Sequence, residues 1–284
     1  MAIDNFTPEI WSNEILHNLN KAHVYAQDGV TNRDYEGEIS GGGDKVKINS
    51  IGRVTLKTYT KNGTIAAPDT LTDAQRELVI DQQKYFNFEV DDIDKAQNKP
   101  KVMAEAMGEA AYSVRDAEDT FVAGLHTGAD SANLIGNDGT PETIAAATDY
   151  YEFLVQLGVL LDEADIPSEG RTVIVPPWYH GGLQLDTRFV GVGSAASDAA
   201  LRNGMIGQAA GFDILKSNNV PNTAGDAWKV QASVRMARSF ADQVASIEAF
   251  RPQDSFSDAV KGLHVYGAKL VRPTAIAVLT IDRP

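Results

Sequence analysis

A single long helical pattern constrains the fold of this chain more than any other feature of its sequence. Between residues 99 and 125, small and apolar side chains recur at spacings of three and four, the period of one helix face. They are Met103, Met107, Ala110, Val114, Ala117, Phe121 and Leu125. The sequence therefore predicts one helix at 99–125 that packs closely against a sheet or another helix.

The segment after this helix alternates between helical and strand patterns. Residues 149–164 and 178–185 have helical periodicity, and Arg171–Val175 between them is a short apolar run typical of a buried strand. Such alternation is typical of an α/β unit. Further strands are predicted at 212–215, Trp228–Val234, 243–250, 263–271 and 275–281.

The segment before the helix is rich in β-forming residues. Three glycines at 41–43 break the chain. Alternating patterns follow at Lys45–Ile51 and 54–60 and return at 76–90, and Asn62-Gly63 is a turn signal. We expect one long hairpin at 44–90 with an irregular tip. Because a two-stranded hairpin is only marginally stable in water, it must pack on something else.

The first residues of the sequence predict a short amphipathic helix. Thr7 is a candidate N-cap, Pro8 occupies the first helical position, and Trp11 belongs to the apolar face. A helix this short is not stable alone, so it docks either on its own core or on a neighbour.

The composition excludes several classes of protein. Hydrophobic residues make up 43% of the chain, which is enough for a core and excludes global disorder. The net charge of −14 argues against a DNA-binding module but suits the lining of a DNA container. An acidic surface that serves solubility alone is the open alternative. No apolar run is long enough to span a bilayer and no signal-peptide pattern is present, so we expect no membrane partner.

The sequence shows no recognisable active site. Its five histidines are scattered along the chain at His17, His23, His126, His180 and His264. There is no cysteine, and no common metal or nucleophile motif is present. The pattern at 191–196 has dinucleotide-fingerprint spacing without a preceding buried strand, so a loop is favoured. The acidic residues at 89–94 are better explained as helix N-terminal charges than as a cation site. We predict no catalytic residue, cofactor or metal, and therefore no enzyme.

Charge is distributed unevenly along the chain. From 45 to 61 the charged side chains are all basic: Lys45, Lys47, Arg53, Lys57 and Lys61. From Val102 to His126 they are mainly acidic: Glu105, Glu109, Asp116, Glu118 and Asp119, opposed only by Arg115. One interpretation is that the basic strand of one subunit lies against the acidic helix of another. The other is a solvated edge strand that lysines protect from pairing. Together with Trp11, the five basic and five acidic residues are the candidate intersubunit contacts.

Three stretches of this sequence resemble the major capsid proteins of tailed bacteriophages with the Hong-Kong-97-type fold. They are IDQQKYFNFEVDDID at 80–94, GFDILKSNNVP at 211–221 and VKGLHVYGAKLVRP at 260–273. The resemblance covers nearly the whole chain, and it depends on the order of the parts more than on any single stretch.

The resemblance implies an α+β fold with four regions. They are an N-terminal arm at 1–34, an E-loop hairpin at 44–90, a peripheral domain at 35–43, 91–147 and 241–271, and an axial domain at 148–240 and 272–284. The spine helix of the peripheral domain is the predicted helix at 99–125. Lys57 and Lys61 lie where some members of the family carry a cross-linking lysine, but no partner asparagine or catalytic carboxylate can be matched. No cross-link is therefore predicted.

The same resemblance implies a structural function. The chain is expected to assemble with itself into pentamers, hexamers and an icosahedral shell around a double-stranded DNA genome, without sequence-specific DNA contacts. Other expected partners are a separate scaffolding protein, because the N-terminus is too short for a fused one, a portal and decoration proteins. Synthesis in the host cytoplasm and location in the virion follow.

Two alternatives remain open at this point. An encapsulin-like nanocompartment shares the fold but encloses cargo enzymes. An ordinary α/β enzyme that uses the loop at 191–196 would instead form a small oligomer and bind a nucleotide.

Overall fold

The fold was analysed in a computed structural model of the chain. The structure describes residues 23–34, 45–51, 56, 58–59, 61, 64, 73–91, 102–186, 207–254 and 256–284. The predicted helix around Trp11 and the loop at 191–196 lie outside these residues, as do Arg53 and Lys57.

Within the described residues the chain forms three α-helices and eleven strands. The helices are α1 (Val102–Gly124), α2 (Asp149–Glu163) and α3 (Pro177–Leu185). The first six strands are β1 (Lys45–Ile51), β2 (Asp73–Val79), β3 (Gln82–Asp91), β4 (Leu134–Ile135), β5 (Arg171–Val175) and β6 (Gln208–Ala209). The other five are β7 (Phe212–Lys216), β8 (Trp228–Val234), β9 (Arg238–Phe250), β10 (Ser257–Leu270) and β11 (Ile276–Ile281). The predicted helices at 99–125, 149–164 and 178–185 and most predicted strands are thus confirmed, although β9 and β10 begin five and six residues earlier than predicted.

The strands form three sheets. β1 and β2 pair antiparallel, β3, β10 and β9 form a three-stranded antiparallel sheet in that order, and the remaining six have the order β4-β11-β8-β5-β7-β6. In the six-stranded sheet β5 runs parallel to β7 and antiparallel to β8, so this sheet is mixed.

The six-stranded sheet carries α2 and α3 over a large apolar core. The buried side chains of α2 are spaced four, three and four residues apart, at Tyr150, Leu154, Leu157 and Leu161. This spacing places them on one helix face, which packs on the fully buried strand β5. The Tyr179 hydroxyl on α3 donates a hydrogen bond to the Tyr150 carbonyl, which joins the two helices.

The long helix α1 packs on the three-stranded sheet. Met107, Ala111 and Val114 on one face of α1 contact Ile247 of β9 and Val260 of β10. The opposite face of β10 carries Lys261 and Leu263, which are exposed. The helix therefore buries one face of the sheet. Because successive side chains of a strand point to opposite faces, buried and exposed residues alternate along this part of β10.

The base of the hairpin packs on its own chain. Val46 and Ile48 of β1 are buried while Lys45 and Lys47 between them are exposed. The buried face joins Leu78, Ile80, Ala241 and Val265 in one apolar cluster on β9 and β10. The hairpin base therefore finds the packing that its sequence requires within its own chain and needs no neighbouring subunit to become buried.

Two strands, β3 and β4, belong to sheets outside the regions to which the sequence analysis assigned them. β3 was expected within the hairpin at 44–90, but it pairs with β10, and only β1 and β2 pair as a hairpin. β4, within the 91–147 segment expected in the peripheral domain, pairs with β11 in the six-stranded sheet. Alternation along a strand shows which face is buried but not which strand is its neighbour, and a two-residue strand has no period at all.

Candidate intersubunit surface and a buried carboxylate cluster

The basic side chains of the hairpin that the structure describes face solvent. Lys45 Nζ lies 3.3 Å from Glu77 Oε2 on β2, and both side chains are about half exposed. Lys47 and Lys61 are also exposed. An exposed pair such as Lys45–Glu77 contributes little to stability, so these lysines are available to a partner.

The tip of the hairpin exposes large apolar side chains. Leu56 is 95% exposed and Tyr59 is 68% exposed. Both residues lie between β1 and β2 in the sequence, beyond the packed base of the hairpin. Exposed apolar groups of this kind mark interaction sites in soluble proteins.

The predicted acidic surface of the long helix is only partly present. Glu109 is exposed, and Asp116 is half-buried and accepts a hydrogen bond from Asn219 Nδ2 at 2.8 Å. Glu105 lies in α1, but its side chain is outside the described part of the structure.

Glu118 and Asp119 do not belong to that surface, which corrects the prediction from the sequence. Glu118 is fully buried and Asp119 is 2% exposed. Glu118 continues the buried stripe of α1 that runs through Met107, Ala111 and Val114, because it lies four residues after Val114. A charged residue on an otherwise apolar stripe was the signal in the sequence that these two groups are internal.

Asp119 holds the segment at 23–34, which we call the strap. Its carboxylate accepts backbone N–H hydrogen bonds from Val24 at 2.9 Å and from Tyr25 and Ala26 at 3.1 Å each. Burial raises the pKa of Asp119, while these three N–H groups and the nearby His23 act in the opposite direction.

Glu118 is bonded by two histidines that are far apart in the sequence. His23 Nε2 of the strap lies 2.5 Å from Oε2, and His264 Nε2 of β10 contacts Oε1. Burial alone would raise the pKa of Glu118, but the hydrogen bonds from both histidines outweigh it and hold the pKa below its usual value. Both histidines present Nε2 to this carboxylate, and their buried Nδ1 atoms have no hydrogen-bond partner within the part of the chain that the structure describes.

Further contacts hold the other end of the strap. Arg33 pairs with Asp242 of β9, and Arg235 Nη2 lies 2.8 Å from Asp28 Oδ1 and 3.0 Å from Asp34 Oδ1. The Asn32 N–H donates to the Arg238 carbonyl and the Phe240 N–H donates to the Asn32 carbonyl, at 2.9 Å each. The apolar side chains of the strap lie in a core with α1 and β9.

The strap changes the extent of the predicted N-terminal arm. Residues 23–34 were expected to be part of an arm at 1–34, but they pack on α1, β9 and β10 of their own chain. An arm that reaches a neighbour is therefore restricted to residues before 23.

A cavity of about 400 Å³ lies between the loop before β5 and the turn joining β6 to β7. The charged groups in its lining are already engaged within the chain. Arg171 Nη2 lies 2.7 Å from Asp162 Oδ1, and Asp213 Oδ1 accepts from Gln208 Nε2 at 2.8 Å. Among the described residues that line this cavity, no nucleophile is paired with a base.

Among the helices in the described part of the chain, none combines the length and the apolar character needed to cross a membrane.

Comparison with known proteins gives a consistent result for this fold. The model of the phage capsid protein family matches residues 74–279. A solved structure from Mycobacterium phage Che8 is 31% identical, with 91% of each chain covered and a TM-score of 0.75. The capsid structure of cyanophage P-SCSP1u is 18% identical, covers 87% of this chain and 85% of its own, and has a TM-score of 0.70.

A solved encapsulin shares the fold at lower similarity. The SrpI encapsulin of Synechococcus elongatus is 11% identical, with 86% of this chain and 84% of its own covered and a TM-score of 0.57. No curated protein sequence matches the chain.

A shell-forming structural protein is the class that the matching family and the most similar of these solved structures define for this fold. The chain belongs to the phage capsid protein family, and it is a tailed-phage major capsid protein with the α+β fold of the Hong-Kong-97 type. The predicted family, fold class and capsid function are thereby confirmed. Its role is structural, and its location is the virion.

Proposed function

We propose that copies of this chain assemble as pentamers and hexamers into an icosahedral shell that encloses a double-stranded DNA genome. The observation that carries the proposal is the exposure of Leu56 and Tyr59 in the hairpin, whose base is already packed on its own chain. Such a tip becomes buried only against another molecule, and a repeated chain supplies that molecule at every position of a closed shell.

The four predicted regions take positions in this shell. The three-stranded sheet with α1 forms the peripheral domain, and the six-stranded sheet with α2 and α3 forms the axial domain around the five-fold and six-fold axes. The hairpin is an E-loop that lies over a neighbouring subunit, where Lys45, Lys47, Arg53, Lys57 and Lys61 contact it. On the acidic side we retain Glu105, Glu109 and Asp116, and on the arm before the strap we retain Trp11.

Other partners follow from the assembly. A separate scaffolding protein and a portal would act while the shell is built, and decoration proteins would bind its outside. The packaged DNA would lie against a chain with a net charge of −14, which favours packing without sequence-specific contacts. Synthesis would take place in the host cytoplasm, and the chain would catalyse no reaction.

The assembly is tested by sedimentation and negative-stain electron microscopy of the purified chain, with and without the scaffolding protein encoded beside it. Closed shells or capsomer rings are the expected result. A uniform monomer or dimer under both conditions would contradict the proposal.

An encapsulin-like compartment is the second candidate, favoured by the fold shared with the SrpI encapsulin. The contents of shells purified from infected or expressing cells distinguish the two. Nuclease-protected double-stranded DNA supports the capsid, and a stoichiometric cargo enzyme without DNA supports the compartment.

A further inference from the structure

The three-stranded sheet has one edge with which no strand in the described part of the chain pairs. β3 pairs on one side only, with β10, and presents ten residues along its other side. The backbone N–H and C=O groups of every second residue in such an edge strand point away from the sheet. They are therefore able to pair with a strand of another molecule.

Other sheet edges of this chain are protected in ways that β3 is not. The six-stranded sheet ends in β4 and β6, which are strands of two residues each. β9 is bridged by the strap at Asn32 and Ser239, and its pairing with β10 shifts register at Leu263 and His264. Short strands, covering segments and bulges are common protections of a sheet edge. β3 contains no proline, glycine or register shift, so it remains a regular strand that another strand can extend.

The sequence of β3 is complementary to itself across a two-fold axis that passes through Asn87. In this antiparallel register, Phe86 of each copy lies opposite Phe88 of the other, and Tyr85 lies opposite Glu89. Phe86 and Phe88 are half-buried on the α1 side, with ring centroids 6.1 Å apart, so the register adds two aromatic pairs there. On the other face, the hydroxyl of Tyr85, which is 80% exposed, can donate to the Glu89 carboxylate.

The register with the axis one residue away, at Phe86, is less complementary. It places Lys84 opposite Phe88 and leaves Phe86 opposite itself as the only aromatic pair. With the axis at Asn87, Lys84 lies opposite Val90 instead. No two like charges are then directly opposed, and a change of the charge at Lys84 creates no such pair. The axis at Asn87 is therefore favoured.

We propose that, in the assembled shell, the β3 edges of two copies pair antiparallel across a two-fold axis through Asn87. The two sheets then form one continuous sheet in the order β9-β10-β3-β3-β10-β9, with both α1 helices on the same face. Each copy contributes the same surface, as a two-fold interface requires. The inference rests on the proposed shell, and it adds a contact between subunits that is separate from the hairpin and the arm.

Because the chain has no cysteine, disulfide mapping tests this pairing directly. Asn87→Cys places two thiols at the axis, where opposed Cα atoms lie about 4.5–5.5 Å apart, a separation that a disulfide can bridge. The matched control is Tyr85→Cys, an exposed position on the same face of β3. Its two copies would be four residues, or about 13 Å, apart along the strand. We expect oxidised Asn87→Cys shells to contain at least about tenfold more disulfide-linked dimer than Tyr85→Cys shells.

Shells are separated from unassembled chain by sedimentation before non-reducing electrophoresis, so assembly and pairing are scored independently. A wild-type chain that forms no shells contradicts the assembly proposal, and the same comparison of the two variants in concentrated unassembled chain then decides on β3 pairing. Asn87→Cys chains that stay monomeric on oxidation would overturn the pairing. Equal dimer formation by Tyr85→Cys would overturn it as well, because the disulfide would then report random collisions.

Discussion

At position 118 a carboxylate occupies the buried stripe of α1, and both of its oxygens are hydrogen-bonded by histidines. Glu118→Gln removes the charge and turns an amide N–H₂ toward one of these rings. We expect the free energy of unfolding to fall by about 3–5 kcal/mol, the usual cost of breaking a buried charged contact. Denaturant unfolding of the unassembled chain measures this change in the free energy of unfolding. Glu109→Gln, exposed on the same helix, should change stability by less than about 0.5 kcal/mol.

The same carboxylate predicts how stability depends on pH. The folded-state pKa of Glu118 is lowered, because the histidine hydrogen bonds outweigh burial. Its contribution is therefore fully present above the unfolded value of about 4.3, and it is lost as the pH falls through the folded-state pKa. The stability difference between wild type and Glu118→Gln should shrink as the pH is lowered from 6 to about 3. A difference that stays constant over this range would contradict the assignment.

Arg238 presents the opposite case, a buried charge with few partners. It is fully buried, its Nη2 donates to Ser233 Oγ at 3.0 Å, and its Nε and Nη1 have no hydrogen-bond partner among the described residues. Burial lowers its pKa to about 10. Arg238→Met keeps a similar side-chain volume and removes the desolvation cost, so stability should stay equal or rise by about 1–4 kcal/mol.

Chemical denaturation of Arg238→Met and of a second variant, Arg33→Met, compares a buried charge that has few partners with one that neutralises a carboxylate. Arg33→Met, which leaves Asp242 without its cation, should lower the unfolding free energy. A marked loss of stability in Arg238→Met would instead show that a bound water or anion completes the surroundings of this guanidinium.

Among the elements, the contact between the hairpin base and β10 depends on one glycine. A Cβ at Gly267 would lie 2.4 Å from the Val79 carbonyl oxygen, which is backbone and cannot turn aside. Gly267→Ala should therefore destabilise the chain by about 1–3 kcal/mol and loosen the hairpin base. Thermal unfolding with hydrogen exchange of β1 and β2 measures both effects.

Gly108 in α1 is the matched comparison. A Cβ there meets nothing within 4 Å, so Gly108→Ala should stabilise the helix by about 0.5–1 kcal/mol. Equal effects of the two substitutions would mean that the close approach at Gly267 does not hold the hairpin in place.

Local patterns were enough to predict the helices and most strands, because periodicity depends on neighbours in sequence. The spacing in α2 and the apolar run of β5 are examples. The placement of β3 beside β10 depends on contacts between segments far apart in the chain, which no local pattern encodes.

The buried cluster was missed for the same reason. His23 and Glu118 are separated by 95 residues, and Glu118 and His264 by 146, so no motif spacing links them. The charge of Glu118 on the buried stripe of α1 was the available signal, and it was interpreted as part of an acidic surface.

For the whole molecule, the basic hairpin predicts a charge-reversal effect on assembly. Lys57→Glu combined with Lys61→Glu should weaken shell formation without lowering the stability of the single subunit, because we propose that the hairpin carries an intersubunit contact. Sedimentation at low and high salt measures assembly. The matched control, Lys84→Glu with Lys216→Glu, makes the same charge change at exposed positions outside the hairpin and should assemble normally. Normal shells from the hairpin variant at both salt concentrations would contradict the charge-matching interpretation.

The strap also sets the order in which a newly made chain becomes fixed. Its partners lie far downstream, since Arg33 and Asp242 are separated by 209 residues and Arg235 and Asp28 by 207. During synthesis the strap leaves the ribosome long before β9 and β10 exist, so these contacts cannot form until most of the chain has been translated. Contacts this distant in sequence form late and slowly. The strap therefore completes its docking late in folding. In a subunit that has not finished folding, the strap is not yet fully docked.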